Sequence, residues 1–280
     1  MNVSSIMTKN VIAATLPTTR ADVLRLMVKY KKTGLPVVDE EGRVLGIVTR
    51  KDFFSHPQEE QVAIVMRWDP PKVSPSTAVE RAAKIMVENN ARRLPVVKNG
   101  KLVGILTPTD FLKVVVKRKI DEPVERYMEQ QCFTIFKLTP ANVAAKMINL
   151  SRVFAMPVLD EHGEICGMIT DRDLFNIEYL RESISLTKLG ISEDEDEWSW
   201  EGLRNVMNLY FQEAKVHLPK EPVEKFMNKD VVTVFRKKPL WEAAEIMLKR
   251  DFDQLPVVDV HDELLSILYD IRVVRSLVPP

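Results

Sequence analysis

Residues 93–110 read RLPVVKNGKLVGILTPTD. Residues 94–97 are a short β-rich run, Asn99-Gly100 supplies a turn, and residues 102–106 form a second strand. Just upstream, residues 73–75 close a short extended segment. Thr77 and Glu80 then have the spacing of a capping box, a threonine oxygen for one free N–H and a glutamate to answer it. Val79, Ala82, Ala83 and Met86 recur at helical spacing, so one face of that helix is apolar. The unit reads strand, helix, strand, strand, helix.

The same unit occurs four times. Met7, Met66, Met128 and Met227 are each followed 29 residues later by a proline in a hydrophobic run: Pro36 (GLPVV), Pro95 (RLPVV), Pro157 (AMPVL) and Pro256 (QLPVV). Gly46, Gly104, Gly167 and Ser266 come nine or ten residues further on, opening GIVTRKD, GILTPTD, GMITDRD and SILYDIR. An offset kept four times marks an internal repeat. Glu41-Gly42 and His162-Gly163 stand at the turns of repeats 1 and 3, and Pro140 and Pro239 are placed to start helices, where a missing N–H is tolerated. A unit of about 60 residues with three short strands cannot bury both faces of its sheet alone, so repeat 1 is expected to pair with 2 and repeat 3 with 4.

The leading methionines are 59, 62 and 99 residues apart, so about 39 extra residues lie between repeats 3 and 4. The expected organisation is repeats at 1–58, 59–118, 119–180 and 222–280, with an insertion at 181–221. Residues 193–197 of the insertion are acidic, Trp198 and Trp200 follow, and Leu203, Val206, Met207, Tyr210 and Ala214 mark an amphipathic helix. Two readings stand side by side: a solvated loop feeding a helix that packs on the second pair, or a partner-docking element with tryptophan anchors.

Composition narrows the class. The chain has 280 residues, enough for one large domain or two ordinary ones. Forty basic and forty acidic residues give no net charge, which argues against nucleic acid as a partner through bulk electrostatics. Cys132 and Cys166 have no Cys-x-x-Cys spacing, and Cys166, in an apolar strand, reads as a buried reduced thiol. The opening MNVSSIMTKN lacks the apolar run of a signal peptide, and no stretch approaches ~18 apolar residues, so the expectation is a soluble, cytoplasmic chain with no membrane span. His56, His162, His217 and His261 are scattered, and no nucleophile–base pairing, metal-ligand spacing or P-loop is visible. An enzyme and a metal site are therefore not expected.

The residues that carry chemistry are Thr49 with Asp52, Thr107 with Asp110, and Thr170 with Asp173, each a T-x-x-D at the end of a third strand. Taken singly, this is a helix N-cap spacing, with the threonine satisfying free N–H groups and the aspartate favoured by the helix dipole. The same geometry can bind a ligand: a helix N-terminus attracts phosphate, and a carboxylate one turn in can accept both hydroxyls of a ribose.

Four units with h-P-h-h, a turn and G-h-h-(S/T)-x-x-D resemble CBS domains, here in two tandem pairs (Bateman modules), and the resemblance extends to four-CBS archaeal proteins and the gamma subunit of AMP-activated protein kinase. It implies an α/β (α+β) fold of four β-α-β-β-α repeats forming two pseudo-two-fold modules in a disc, with clefts that take AMP, ADP or ATP as a regulatory ligand and no required cofactor. Carried across, Asp52, Asp110 and Asp173 match the ribose-binding aspartate, and Thr49, Thr107 and Thr170 the hydroxyl near ribose or phosphate. The backbone around Leu35-Pro36, Leu94-Pro95 and Met156-Pro157 matches the adenine wall. Thr134 and Thr233 fit a threonine near the base, where repeats 1 and 2 have Ala13 and Lys72. Arg92 and Arg93, ahead of Leu94-Pro95, and Lys51 and Arg172, inside the T-x-x-D, match phosphate contacts. Charge-assisted hydrogen bonds contribute ~1.5–3 kcal/mol each, so two turn a millimolar adenosine binder into a micromolar nucleotide binder.

Repeat 4 departs from the pattern, with Ser266 for glycine, Tyr269 for threonine and Arg272 for aspartate. Arginine offers no acceptor to a ribose, so this site is not expected to hold one, and Arg272 is instead placed to reach a phosphate bound at a neighbouring site. The expected function is a regulatory protein that passes ligand occupancy to a protein target, with a homodimer as a further expected partner. S-adenosylmethionine or methylthioadenosine is the alternative ligand, and a scaffold with vestigial clefts the alternative class.

Overall fold

A computed structural model describes residues 1–56, 59–170, 173–174 and 220–279. Among these residues it is a mixed α/β protein with eight α-helices and four small sheets. Repeat 1 supplies β1 (Ala14–Thr15), α1 (Arg20–Lys29), β2 (Gly34–Val38), β3 (Val44–Thr49) and α2 (Arg50–Ser55), followed by α3 (Val62–Val65) and β4 (Arg67–Trp68). Repeat 2 adds α4 (Val79–Glu88), β5 (Leu94–Lys98), β6 (Lys101–Leu106) and α5 (Pro108–Arg118). Repeat 3 has β7 (Ile135–Phe136), α6 (Ala141–Ser151), β8 (Ala155–Leu159) and β9 (Ile165–Thr170). Repeat 4 has β10 (Val234–Phe235), α7 (Leu240–Arg250), β11 (Gln254–Val258), β12 (Leu264–Tyr269) and α8 (Asp270–Val274). The acidic run, Trp198, Trp200 and the amphipathic segment of the insertion lie outside the described residues.

The proline of each hydrophobic run has a local explanation. β1 runs parallel to β2 and pairs only with Val37 and Val38, while β3 pairs antiparallel along the whole of β2. Pro36 therefore lies beyond the end of β1, where its missing N–H leaves no ladder bond unmade. β7 pairs with Val158 and Leu159, and β10 with Val257 and Val258, in the same register. The hairpins also share an irregularity, between Val37 and Val38, Val96 and Val97, and Val158 and Leu159. Asn99 (φ 52°) and Gly100 (φ 78°) both take left-handed backbone in the β5–β6 turn, as a two-residue hairpin loop requires.

The methionine–glycine signature is a contact between repeats. β4, the leading segment of repeat 2, pairs with β3 of repeat 1, Trp68 opposite Gly46. A Cβ on Gly46 would lie 2.7 Å from Met66 Sδ and 2.8 Å from the Arg67 carbonyl oxygen. Reciprocally, Thr8 bridges to Ile105 of β6, and a Cβ on Gly104 would lie 2.6 Å from Met7 Sδ. Gly167 meets Met227 in the same way, beside the Met168–Asn228 bridge. In repeat 4, Ser266 uses its hydroxyl to donate to the Glu129 carbonyl at 2.7 Å. Each leading segment thus completes a neighbouring repeat.

By contacts the chain forms two compact units, Met1–Tyr127 with Lys238–Asp253 and Tyr269–Pro280, and Met128–Lys237 with Gln254–Leu268. In the first, Val23, Met27, Leu35, Val37, Val48 and Phe53 are among the buried core. There α5 packs on α7 and α8, and α4 on the 3-10 turn Arg275–Leu277. In the second, Ile135, Ala144, Met156, Val158 and Ile169 fill the core.

One helix-start signal differs from the sequence reading, and the two prolines stand where helices begin. Thr77 and Glu80 make no capping box: Thr77 Oγ1 accepts from Ser74 N, α4 begins at Val79, and Val79 N donates to the Met1 carbonyl. The chain's own N-terminus supplies the acceptor that a capping side chain would have given. Pro140 and Pro239 are N-caps, one residue ahead of the first helical position. Arg20 is 1% exposed where the other repeats bury Val79, Ala141 and Leu240. Its guanidinium donates to the Phe53 and His56 carbonyls at 3.2 and 3.0 Å and lies over the Phe53 ring, closing off α2, a six-residue helix where α5 has eleven.

Candidate functional site

In the first unit, β3 delivers Thr49 in extended backbone (φ −125°, ψ 163°) to the start of α2. Asp52 Oδ2 accepts from Thr49 N at 2.8 Å and Thr49 Oγ1 at 2.6 Å. Oδ1 is left facing Arg67 Nε at 4.0 Å. The helix thus uses one carboxylate oxygen, and the other keeps lone pairs for two hydroxyls.

Arg93 completes this arrangement. Gly34 and Arg93 both stand two residues ahead of their repeat's proline, in equivalent positions. A Cβ on Gly34 would lie 2.9 Å from Arg93 Cζ and 2.9 Å from Thr49 Cγ2, so the missing side chain in repeat 1 makes room for the guanidinium of repeat 2. Arg93 also donates to Thr33 Oγ1. Burial, and then the charges of Arg92 and Arg67, bring its pKa down to about 10, with Asp253 and Asp52 acting the other way. It remains a cation at neutral pH, in surroundings where an added anion is favourable.

Arg92 turns elsewhere. Its two terminal nitrogens donate to Asp270 Oδ1 and Oδ2 at 2.8 and 2.7 Å, and Asp253 Oδ2 stands 3.8 Å away. Asp270 is 1% exposed. Tyr269, the N-cap of α8, is itself buried, so repeat 4 has moved its acidic residue from the third position of the helix to the first.

The other two motifs make the same cap with different surroundings. Asp110 Oδ2 accepts from Thr107 N at 2.9 Å and Oγ1 at 3.1 Å, and Lys113 Nζ is 3.5 Å from Oδ1. Asp110 is 2% exposed, so its carboxylate is covered. In the second unit, Asp173 Oδ2 accepts from Thr170 N and Oγ1 at 2.9 and 2.6 Å, and Asp173 N donates back to Thr170 Oγ1 at 3.2 Å. Thr134 is half-buried just ahead of β7. Ala155 and Gln254 occupy the positions equivalent to Gly34 and Arg93. Lys51 is exposed on α2, and Arg172 lies outside the described residues.

Leu35 and Met156 are core side chains, and Leu94 and the three prolines are buried, so a ligand there would meet backbone rather than side chains. Sequence reading missed Thr33, Gly34 and Arg67. The register that aligns Gly34 with Arg93 was the available signal for one of them. Among the described residues there is no His, Cys, Asp or Glu cluster fit for a metal ion, and no helix long and apolar enough to cross a membrane.

Compared with known families, the chain matches the CBS domain at residues 3–59, 61–117, 124–179 and 223–279. It belongs to the CBS domain family. This four-CBS chain is similar to protein MJ1225 of Methanocaldococcus jannaschii, 26% identical over 190 residues, which is 61% of this chain and 68% of the relative. The crystal structure of MJ1225 overlays with a TM-score of 0.75 at 20% identity over 99% of both chains. A conserved protein from Pyrococcus horikoshii overlays with a TM-score of 0.69 at 26% identity, over 99% of this chain and 100% of that one. A homoserine O-acetyltransferase of Methanococcoides burtonii is 32% identical over 136 residues, but the CBS chain spans only 26% of its length.

Proposed function

We propose that this four-CBS chain is a non-enzymatic regulatory protein that binds an adenine nucleotide, AMP, ADP or ATP, between paired repeats and signals occupancy to a protein partner. The observation that carries the reading is the convergence on Asp52: a hydroxyl acceptor (Oδ1), a helix N-terminus, and two guanidiniums, Arg67 and Arg93, the latter seated over Gly34. A ribose acceptor beside two cations suits a phosphorylated nucleoside better than a neutral one. Signalling follows if the ligand has different affinity for two arrangements of the repeats, and only to the extent of that difference.

A second reading applies to the second unit. There Ala155 and Gln254 replace the glycine–arginine pair beside Thr170, Asp173 and Thr134. Without an arginine at that position, a phosphate-free adenosine compound of the S-adenosylmethionine or methylthioadenosine type fits the chemistry.

Calorimetry with AMP, adenosine and S-adenosylmethionine tests both readings. Asp52→Asn keeps a carbonyl to cap α2 but loses the second acceptor, and should weaken AMP binding at the first-unit site by tenfold or more. Arg93→Ala should reduce AMP binding while leaving adenosine nearly unchanged. Full AMP affinity in both variants would sink the assignment.

A further inference from the structure

Arg92 and Arg93 are neighbours in sequence with opposite engagements. Arg93 faces Thr33, Gly34 and Thr49, and Arg92 is the strongest cationic influence on it. Arg92 instead holds Asp270 through a two-pronged fork, N–H to each oxygen at 2.8 and 2.7 Å. A carboxylate offers that fork the same pair of acceptor oxygens as a phosphate. Asp270 is fixed in place by its own helix: Oδ1 accepts from Ile271 N at 2.6 Å, and Asp270 N donates to the Asp253 carbonyl at 2.9 Å. All of these residues belong to the first unit.

We infer that Asp270 is a built-in stand-in for a phosphate: it occupies the anion fork of Arg92 and competes with phosphate-bearing ligands for that arginine. The repeat that has lost its ribose aspartate thereby restrains its neighbour. When a phosphate recruits Arg92, α8 loses its ion pair but keeps the Asp270 N–H bond to the Asp253 carbonyl and its packing on α4, α5 and α7. Ligand binding is thus coupled to the hold on the last helix of the chain. The inference rests on the adenine-nucleotide reading only for the identity of the anion.

The test is calorimetry on the full chain with AMP, adenosine and inorganic phosphate. Asp270→Asn keeps the shape and the acceptor for Ile271 N but gives up the charge. It should bind AMP and inorganic phosphate at least fivefold more tightly than wild type, with adenosine changed less than twofold. Adding Arg92→Gln to that variant should remove the gain. Unchanged or weaker anion binding by Asp270→Asn overturns the inference, as does an equal gain for adenosine. If wild type binds neither AMP nor adenosine, the nucleotide reading fails by itself, and the inorganic phosphate arm alone decides the role of Asp270: a gain supports it and no gain overturns it. Should Asp270→Asn not fold, Asp270→Ser, whose hydroxyl can still accept from Ile271 N, is measured in its place by the same criteria.

Discussion

A carboxyl group bound by both prongs of an arginine would ordinarily titrate low, yet burial pushes Asp270 up to about 6 despite Arg92, with Asp253 adding to the rise. A carboxyl whose folded pKa lies above its unfolded value of 3.8 takes up its proton more readily in the fold, so its contribution to stability grows as pH falls from 7 toward 4. Half-buried Asp39, Asp160 and Asp259, where hydrogen bonds from backbone or arginine N–H groups outweigh desolvation and hold the carboxyl low, act in the opposite sense. Wild type minus Asp270→Asn isolates the term: urea unfolding should show the difference moving by about 1 kcal/mol in favour of wild type from pH 7 to pH 5. A flat difference would mean that Arg92 keeps Asp270 ionised throughout. None of this was legible in the sequence, because Arg92 and Asp270 are 178 residues apart and SILYDIR shows only that an aspartate has shifted by two places. Thr-x-x-Asp was legible but double-edged: in Asp52 one oxygen belongs to the helix and the other faces Arg67.

Strands, turns and the repeat period could be read because they depend on local chemistry: a proline kept at one offset in each hydrophobic run, Asn99-Gly100 in a two-residue loop, apolar residues at helical spacing. The helix start at Thr77 could not, since its acceptor, the Met1 carbonyl, comes from another repeat. The glycines of the third strands show how sharply an element can depend on its neighbour. A methyl group at Gly46 meets the backbone of β4 as well as Met66, so Gly46→Ala should destabilise the protein by about 1–3 kcal/mol in urea unfolding. Gly42 has positive φ and open space, so Gly42→Ala meets no neighbour and should cost only the strain of left-handed backbone, about 1–2 kcal/mol. In double-mutant cycles Gly46→Ala should couple to Met66→Ala and Gly42→Ala should not, and no coupling at Gly46 would contradict the role given to the leading segments.

At the scale of the molecule, the first unit is drawn from three stretches of chain, and the last of them covers α4 and α5 with Val273, Val274 and Leu277, each 4% exposed or less. Fully burying such side chains stabilises by about 1.5–3 kcal/mol apiece. A chain ending at residue 268 should therefore lose several kcal/mol, with hydrogen-exchange protection falling first in α4 and α5. Protection unchanged there would show that those helices do not depend on their cover. The repeat count was plain from sequence, whereas this division of repeat 4 was not, because periodicity records which residues form a unit but not where its helices pack. The exchange of leading segments has one more consequence, for synthesis. Met66 must leave the ribosome before the sheet of repeat 1 can close on it, and Met7 must wait, with its hydrophobic side chain exposed, for Gly104. During that interval the place beside Gly104 is open to the same segment of a neighbouring copy, which is the geometry of domain swapping.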